Sequence, residues 1–226
     1  VAERIDSDEL RVWVHGTQSL ILRFEKRFTE AEHEIRRGMA YPVGGTGRLR
    51  LLAGLAQCRA NLGDAAGVHE ALELMDRERE SLPDDDATDD GLFGFSRAKQ
   101  HYYAASSLMW LTDPVDLERS AAEAETAIAL WRDEPPRSRS LDDEALAHVY
   151  AGIAHARLGD LDGAARTVAP VLGLPPELQI SWIHNRLDAL ADLVDHRFAR
   201  SSEAAQLSER IRSTTRGSGD RVRDRG

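Results

Sequence analysis

Cysteine and long apolar runs are almost missing from this 226-residue sequence. Cys58 is the only cysteine, which excludes an internal disulfide and a cysteine-rich zinc site. No apolar run approaches the ~18 residues that a membrane-spanning helix needs. No basic segment followed by an apolar one marks a secretion signal at the N-terminus. We therefore expect a cytoplasmic protein that has no membrane partner.

Basic residues are also scarce relative to acidic ones. The chain has 29 Lys and Arg residues against 39 Asp and Glu residues, which gives a formal net charge of −10. A surface of this sign is repelled by the phosphate backbone of nucleic acids. We therefore expect that this chain alone does not bind DNA.

A third absence concerns β-structure, because no stretch shows a sustained period-two alternation of Val, Ile and Thr. Ala, Leu, Arg and Glu, which favour helices, dominate instead. One set of apolar side chains, which includes Cys58, follows spacings of four, three and four residues. These spacings place the set on one face of a helix, and they predict that the Cys58 thiol is buried. The same spacings recur ninety-six residues later. The two sets are Leu51, Leu55, Cys58 and Leu62, and Ala147, Ala151, Ala154 and Leu158.

Each set ends in a Leu-Gly-Asp turn. The glycine can take the left-handed conformation that ends a helix, and the aspartate can cap the next helix. Residues 111–114 form a third turn with Thr in place of Gly and a Pro suited to the first helical position, and residues 24–28 form a fourth without glycine. The intervals between the four turns are 38, 49 and 47 residues. A helix pair every few tens of residues predicts an α-solenoid.

These signals give a predicted layout for the whole chain. A lead-in at 1–9 precedes a solenoid domain at 10–200, a terminal helix at 201–213 and a disordered tail at 214–226. An amphipathic helix at 177–195 and the terminal helix would close the end of the stack, as solenoids require. The predicted helix pairs are 8–25 with 28–39, 47–62 with 65–80, 93–111 with 115–132, and 142–158 with 161–172.

Residues 145–178 resemble the 34-residue tetratricopeptide repeat (TPR). The resemblance implies an all-α, TPR-like right-handed α-solenoid of about four helix pairs with C-terminal capping helices. The second unit matches more weakly, and the first and third units are degenerate. The matching positions in 145–178 are Gly152, the turn Gly159, Asp160 and Leu161, Ala164 and the closing Pro176.

Three stretches resemble a larger family. Residues 16–21, 91–114 and 141–180 are similar to the C-terminal TPR half of actinobacterial regulators that carry an XRE-type helix-turn-helix. The resemblance implies a ligand-sensing, protein-binding or dimerising half of a transcription regulator, so a homodimer is one option. No helix-turn-helix precedes residue 10, and the DNA-binding half is expected outside this chain. The alternative is a stand-alone TPR adaptor that scaffolds other proteins.

No pattern of residues supports catalysis. The glycine cluster at 44–47 lacks the Lys-Ser/Thr pair of a phosphate loop. The acidic stretch at 84–90 has Arg97 where a calcium loop needs a bidentate Glu. His148 and His155 are about two helical turns, ~10.5 Å, apart, which is too far to share one metal ion without other ligands. We therefore predict a protein that is not an enzyme and has no catalytic residues, metal or cofactor.

One feature of the predicted first helices indicates binding. In a TPR these helices line a concave groove, and none of the positions that the resemblance places there holds Asp or Glu. Deeper burial of first helices would explain this absence equally well. A groove with an aromatic floor and a basic rim suits an acidic or carboxylate-ended peptide, or a small anionic ligand. The candidate binding residues are Arg50, Gln57, Asn61, Lys99, Tyr102, Ser106, Trp110 and Arg157.

Overall fold

The computed structural model describes residues 7–82, 94–135, 139–175, 178 and 180–223, with side chains described up to residue 216. Within these ranges the chain is all-α, with ten helices and no strand. None of these described helices is long and apolar enough to cross a membrane. The helices are α1 (Asp8–Phe24), α2 (Phe28–Met39), α3 (Gly45–Asn61), α4 (Ala65–Glu80), α5 (Arg97–Leu108), α6 (Pro114–Asp133), α7 (Leu141–Leu158), α8 (Leu161–Leu172), α9 (Ser181–Arg197) and α10 (Ser202–Arg223).

The two Leu-Gly-Asp turns have the predicted geometry. Gly159 has a φ of +88°, a left-handed conformation that residues with a Cβ rarely adopt. The Asp160 carboxylate accepts a hydrogen bond from the Gly163 amide at 2.8 Å and so caps α8. The turn after α3 is built alike, with Gly63 at +78° and Asp64 capping α4. The sequence-based prediction for both turns is confirmed.

The other two turns end their helices without glycine. Asp113 accepts a hydrogen bond from the Val115 amide at 2.9 Å, and Pro114 occupies the first turn of α6. Between α1 and α2, Lys26 itself takes the left-handed conformation, with a φ of +58°. Lys26 therefore adopts in this turn the left-handed conformation that glycine adopts in the Leu-Gly-Asp turns.

Helices α1 to α5 form one compact unit, Val1–Leu111, which we call unit 1. Its central helix is α3, which packs against α1, α2, α4 and α5. Each fully buried Leu, Ile or Met contributes about 1.5–3 kcal/mol to stability relative to an exposed one. The Cys58 thiol is fully buried in the same core, as predicted. The core side chains include Ile35, Leu52, Leu72, Met75 and Leu108.

Helices α6 to α10 form the second compact unit, Thr112–Gly226, which we call unit 2. Its central helix is α7, which packs against α6, α8 and α9, while α10 packs on α9 and α8. The three alanines of the predicted apolar face of α7 are fully buried, and their small side chains allow neighbouring helices to approach closely. Gly152 serves the same purpose, since a Cβ there would lie 3.3 Å from Leu190 Cδ2.

The third predicted helix pair needs correction. Helix α5 begins at Arg97 because the Ser96 hydroxyl accepts a hydrogen bond from the Lys99 amide at 3.3 Å and caps the helix. It ends at Leu108, so Trp110 lies in the following turn and not on the helix. The two helices predicted to pair belong to different units, and α6 packs on α7 within unit 2.

The predicted C-terminal boundaries also shift. Helix α9 begins at Ser181, four residues after the predicted start, and α10 continues to Arg223. Residues 214–223, which the sequence analysis assigned to a disordered tail, belong to α10 in the structure, while 224–226 lie outside the described residues. Side-chain hydrogen bonds to α9 extend past the predicted end at residue 213. In particular, Thr215 Oγ1 donates to Asp188 at 3.0 Å.

Candidate functional site

A row of polar side chains joins the three first helices of unit 1. Arg23 on α1 donates a hydrogen bond to the Gln57 side-chain oxygen on α3. Gln57 Nε2 donates to the Ser106 hydroxyl on α5 at 2.6 Å, and that hydroxyl donates to the Tyr103 carbonyl at 2.9 Å. The structure therefore brings two of the candidate binding residues, Gln57 and Ser106, together.

Two further candidate residues, Arg50 and Lys99, lie two helical turns from this row on α3 and α5. Arg50 is seven residues before Gln57 and Lys99 is seven residues before Ser106, so each lies on the same side of its helix as its partner in the row. Arg50 Nη2 donates to the Gly94 carbonyl at 3.2 Å and so ties α3 to the segment before α5. Arg50 therefore has a structural contact in addition to its predicted binding role.

Asn61 and Lys99 complete this set of polar groups. Asn61 is exposed, and its side-chain amide donates to the Gln57 carbonyl at 2.8 Å. Lys99 is half-buried. Among the described residues, its ammonium has no carboxylate partner. We call the surface formed by Arg23, Arg50, Gln57, Asn61 and Lys99 the first-helix face.

The predicted aromatic floor is corrected. Tyr102 is 7% exposed and packs edge-on against Tyr103, with ring centroids 5.1 Å apart. Tyr103 in turn stacks on Phe95. Burial in this aromatic cluster leaves Tyr102 almost no surface for a partner, and Ser106 is also buried. Trp110 is 37% exposed but lies in the turn after α5.

Arg157 differs from the other seven candidates in its location. It lies on α7 in unit 2, whereas the other seven belong to unit 1. Burial and the nearby charge of Arg197 lower the pKa of the Arg157 guanidinium. The structure therefore places Arg157 near Arg197 within unit 2.

Arg23 is a member of the face that the list of candidates left out. Its Nε is buried and has no hydrogen-bond partner within the described part of the chain. The interval from Arg23 to Gln57 is 34 residues, which equals the length of a TPR. This spacing was a signal in the sequence for including Arg23, although the extra residue in the first turn obscured it.

A surface depression of about 660 Å³ lies on the α1–α2 hairpin of unit 1. Its carboxylates already have partners: Glu25 and Glu30 bind Arg27, and Glu34 binds His15 at 2.8 Å. Because these charges are paired internally, the depression offers little chemistry to a charged ligand. The first-helix face is the better candidate in unit 1.

The residues considered for metal or covalent chemistry are His148, His155, Cys58 and the acidic stretch at 84–90. His155 Nδ1 lies 3.0 Å from the Asp160 carboxylate, and His148 is buried. Burial raises the pKa of the Cys58 thiol to about 11, so this thiol is not an activated nucleophile. Within the described ranges, no group of three His, Cys, Asp or Glu side chains could hold a metal ion. The acidic stretch at 84–90 lies outside the described residues.

In comparisons with known proteins, no family model, no curated protein and no solved structure matches this chain.

Proposed function

We propose that the chain is a TPR-like binding domain whose first-helix face takes an acidic or carboxylate-ended peptide. The observation that carries this proposal is the cationic face itself. Arg23, Arg50 and Lys99 lie on it, and no Asp or Glu occupies the first-helix positions of that face. A carboxylate from a partner would be attracted to this positive face.

The helix packing supports a TPR-like arrangement. In unit 1, α3 packs on both α1 and α5, so first helices adjoin first helices, and in unit 2 α7 packs on α9 in the same way. This is the packing that makes a continuous binding surface from successive repeats. The left-handed glycines Gly63 and Gly159, each followed by a capping Asp, support the same arrangement.

The polar row makes the face suitable for recognition. Gln57 is held by Arg23 and Ser106, so its amide is oriented before any partner arrives. Asn61 presents an exposed side chain beside it. Charge-assisted hydrogen bonds contribute roughly 1.5–3 kcal/mol each, and exposed ones lie at or below the lower end. A pair of such exposed contacts therefore contributes at most about 3 kcal/mol to binding.

The wider role that we propose is the regulatory half of a helix-turn-helix transcription regulator. Its support is the resemblance of residues 16–21, 91–114 and 141–180 to such regulators. A stand-alone TPR adaptor would use the same face. The two roles differ in whether a DNA-binding domain is joined to this chain, which the encoding reading frame answers directly.

Lysine chemistry offers a direct test, because Lys26 and Lys99 are the only lysines in this chain. Acetic anhydride labelling followed by mass spectrometry measures the reactivity of both amines in one sample. The probe is a synthetic Glu-Ala repeat peptide with a free C-terminal carboxylate, and its control is an all-Gln analogue with an amidated C-terminus. We expect the acidic peptide to protect Lys99 and to leave Lys26 unchanged.

Matched variants separate specific binding from general charge attraction. Lys99→Gln should weaken binding of the fluorescein-labelled acidic peptide several-fold in a polarisation assay. Lys26→Asn removes the same charge in the α1–α2 turn, where Asn tolerates the left-handed conformation, and should leave binding unchanged. Equal losses in both variants, or no protection of Lys99, would refute the proposed face.

A further inference from the structure

Unit 2 contains a cavity of about 210 Å³ that none of the predicted site residues lines. Its apolar wall comes from α7 and from the end of α8. An engineered cavity of about 150 Å³ accepts benzene, so this volume suits one ring or a short chain with a small polar substituent. The apolar residues include Leu141, Ala145, Pro170, Val171 and Leu174.

Two of the charged groups at the cavity neutralise each other. Arg139 Nε and Nη2 donate to the two Glu144 carboxylate oxygens at 2.5 and 2.6 Å. The Glu144 residue is buried, so this bidentate pair is a fixed part of the wall. Neither group is then available to carry the main charge of a ligand.

Arg132 supplies an uncompensated positive charge at the same cavity. It is exposed near the end of α6 and lines the cavity together with Arg139 and Glu144. Among the described residues, Arg132 makes no ion pair. Arginine binds a carboxylate through two parallel hydrogen bonds, which gives orientation as well as attraction.

His148 supplies the second polar group. It is 9% exposed, it lines the cavity, and its Nδ1 is buried with no hydrogen-bond partner in the described part of the chain. Burial is the main cause that lowers the pKa of this imidazole, and the charges of Arg132 and Arg139 act in the same direction. A neutral ring that interacts with the Thr167 backbone through its other nitrogen leaves Nδ1 as an acceptor. The tautomer follows from this hydrogen-bond arrangement.

We propose that this cavity binds a small carboxylic acid that has an apolar body and a hydroxyl or N–H donor. Arg132 binds the carboxylate, His148 Nδ1 accepts the donor, and the apolar wall encloses the body. An unpartnered buried nitrogen selects for a ligand that supplies a donor, because an analogue without one leaves the nitrogen unsatisfied. This inference concerns unit 2 and does not rest on the function proposed for unit 1.

Four simple probes separate the three contacts by isothermal titration calorimetry. The probes 3- and 4-hydroxybenzoate carry both polar groups, benzoate lacks the donor, and 4-hydroxybenzyl alcohol lacks the charge. We expect at least one hydroxybenzoate to bind about tenfold more tightly than either partial analogue, since each charged or buried hydrogen bond contributes a factor of this order. Histidine-ring NMR should show a shift of the His148 nitrogen with the hydroxybenzoate and a smaller one with benzoate.

Two arginine variants provide the decisive comparison. Arg132→Gln should lower the affinity for the bound hydroxybenzoate about tenfold and should fold normally, because the side chain is exposed. Arg166→Gln removes an exposed arginine of α8 that does not line the cavity, and it should bind like the parent chain. Equal affinity in the two variants, or no heat and no histidine shift up to the solubility limit of all four probes, would overturn the proposal.

Discussion

Replacing Gly163 by alanine should destabilise the protein, although Gly-to-Ala changes inside helices normally stabilise. Gly163 is the third residue of α8, and its amide donates to the capping Asp160. A Cβ at this position would lie 2.1 Å from Asp160 Oδ2 and 2.6 Å from His155 Nδ1. The carboxylate would have to move, and the cap would be lost.

The magnitude follows from two opposing contributions. Alanine gains about 0.8–1 kcal/mol over glycine in helix propensity. Loss of an Asp cap costs about 0.5–2 kcal/mol, and displacing the Asp160 carboxylate from His155 adds to that loss. We expect a net destabilisation of up to about 1 kcal/mol at pH 7, measured by urea denaturation of the Gly163→Ala variant.

A double-mutant cycle tests the cause of this effect. In an Asp160→Ala background the cap is already missing, and the partly exposed His155 side chain is no longer held by Asp160 and can move away from the new Cβ. Gly163→Ala should then stabilise the protein by up to about 1 kcal/mol. The sign of the glycine substitution should therefore reverse between the two backgrounds. If Gly163→Ala stabilises the chain with Asp160 present, or destabilises it equally without Asp160, the reasoning is refuted.

Three further outcomes are expected. Gly159→Ala should lower stability by about 1 kcal/mol because of the positive φ, and an unchanged or higher melting temperature would contradict this. Gln57→Ala should lower the free energy of unfolding by about 1–3 kcal/mol in denaturant titrations, because it leaves Arg23 and Ser106 without their shared partner. An unchanged free energy of unfolding would show that the polar row does not stabilise the fold. Burial lowers the pKa of His148 in the folded chain below its ordinary value of 6.5. As the pH falls, the unfolded chain therefore binds a proton at His148 before the folded chain does. Stability should therefore fall as the pH drops below about 6.5, and His148→Gln should flatten this dependence.

The local structure of the chain followed from its sequence. The four turns that begin at Phe24, Leu62, Leu111 and Leu158 all separate helices, and Gly159 has the left-handed conformation that its place after Leu158 predicted. These features depend on residues within about four positions of each other, through capping, glycine conformation and helical periodicity. A single sequence contains that information.

The side-chain environments depended on contacts between residues far apart in the chain. The amphipathic pattern did not distinguish a groove residue from a core residue. Tyr102 is buried and packs edge-on against Tyr103, which in turn stacks on Phe95. Helix α10 extends beyond its predicted end, where Thr215 bonds to Asp188 on α9.

The residues that line the unit 2 cavity could not be identified from the sequence either. Arg132, His148 and Pro170 come from three different helices and share no spacing that a motif could describe. Local rules decide where each helix begins and ends, but burial and an unpartnered nitrogen arise only when separate helices enclose the same space. Tertiary packing alone therefore decided which polar groups of this protein face a ligand-sized cavity.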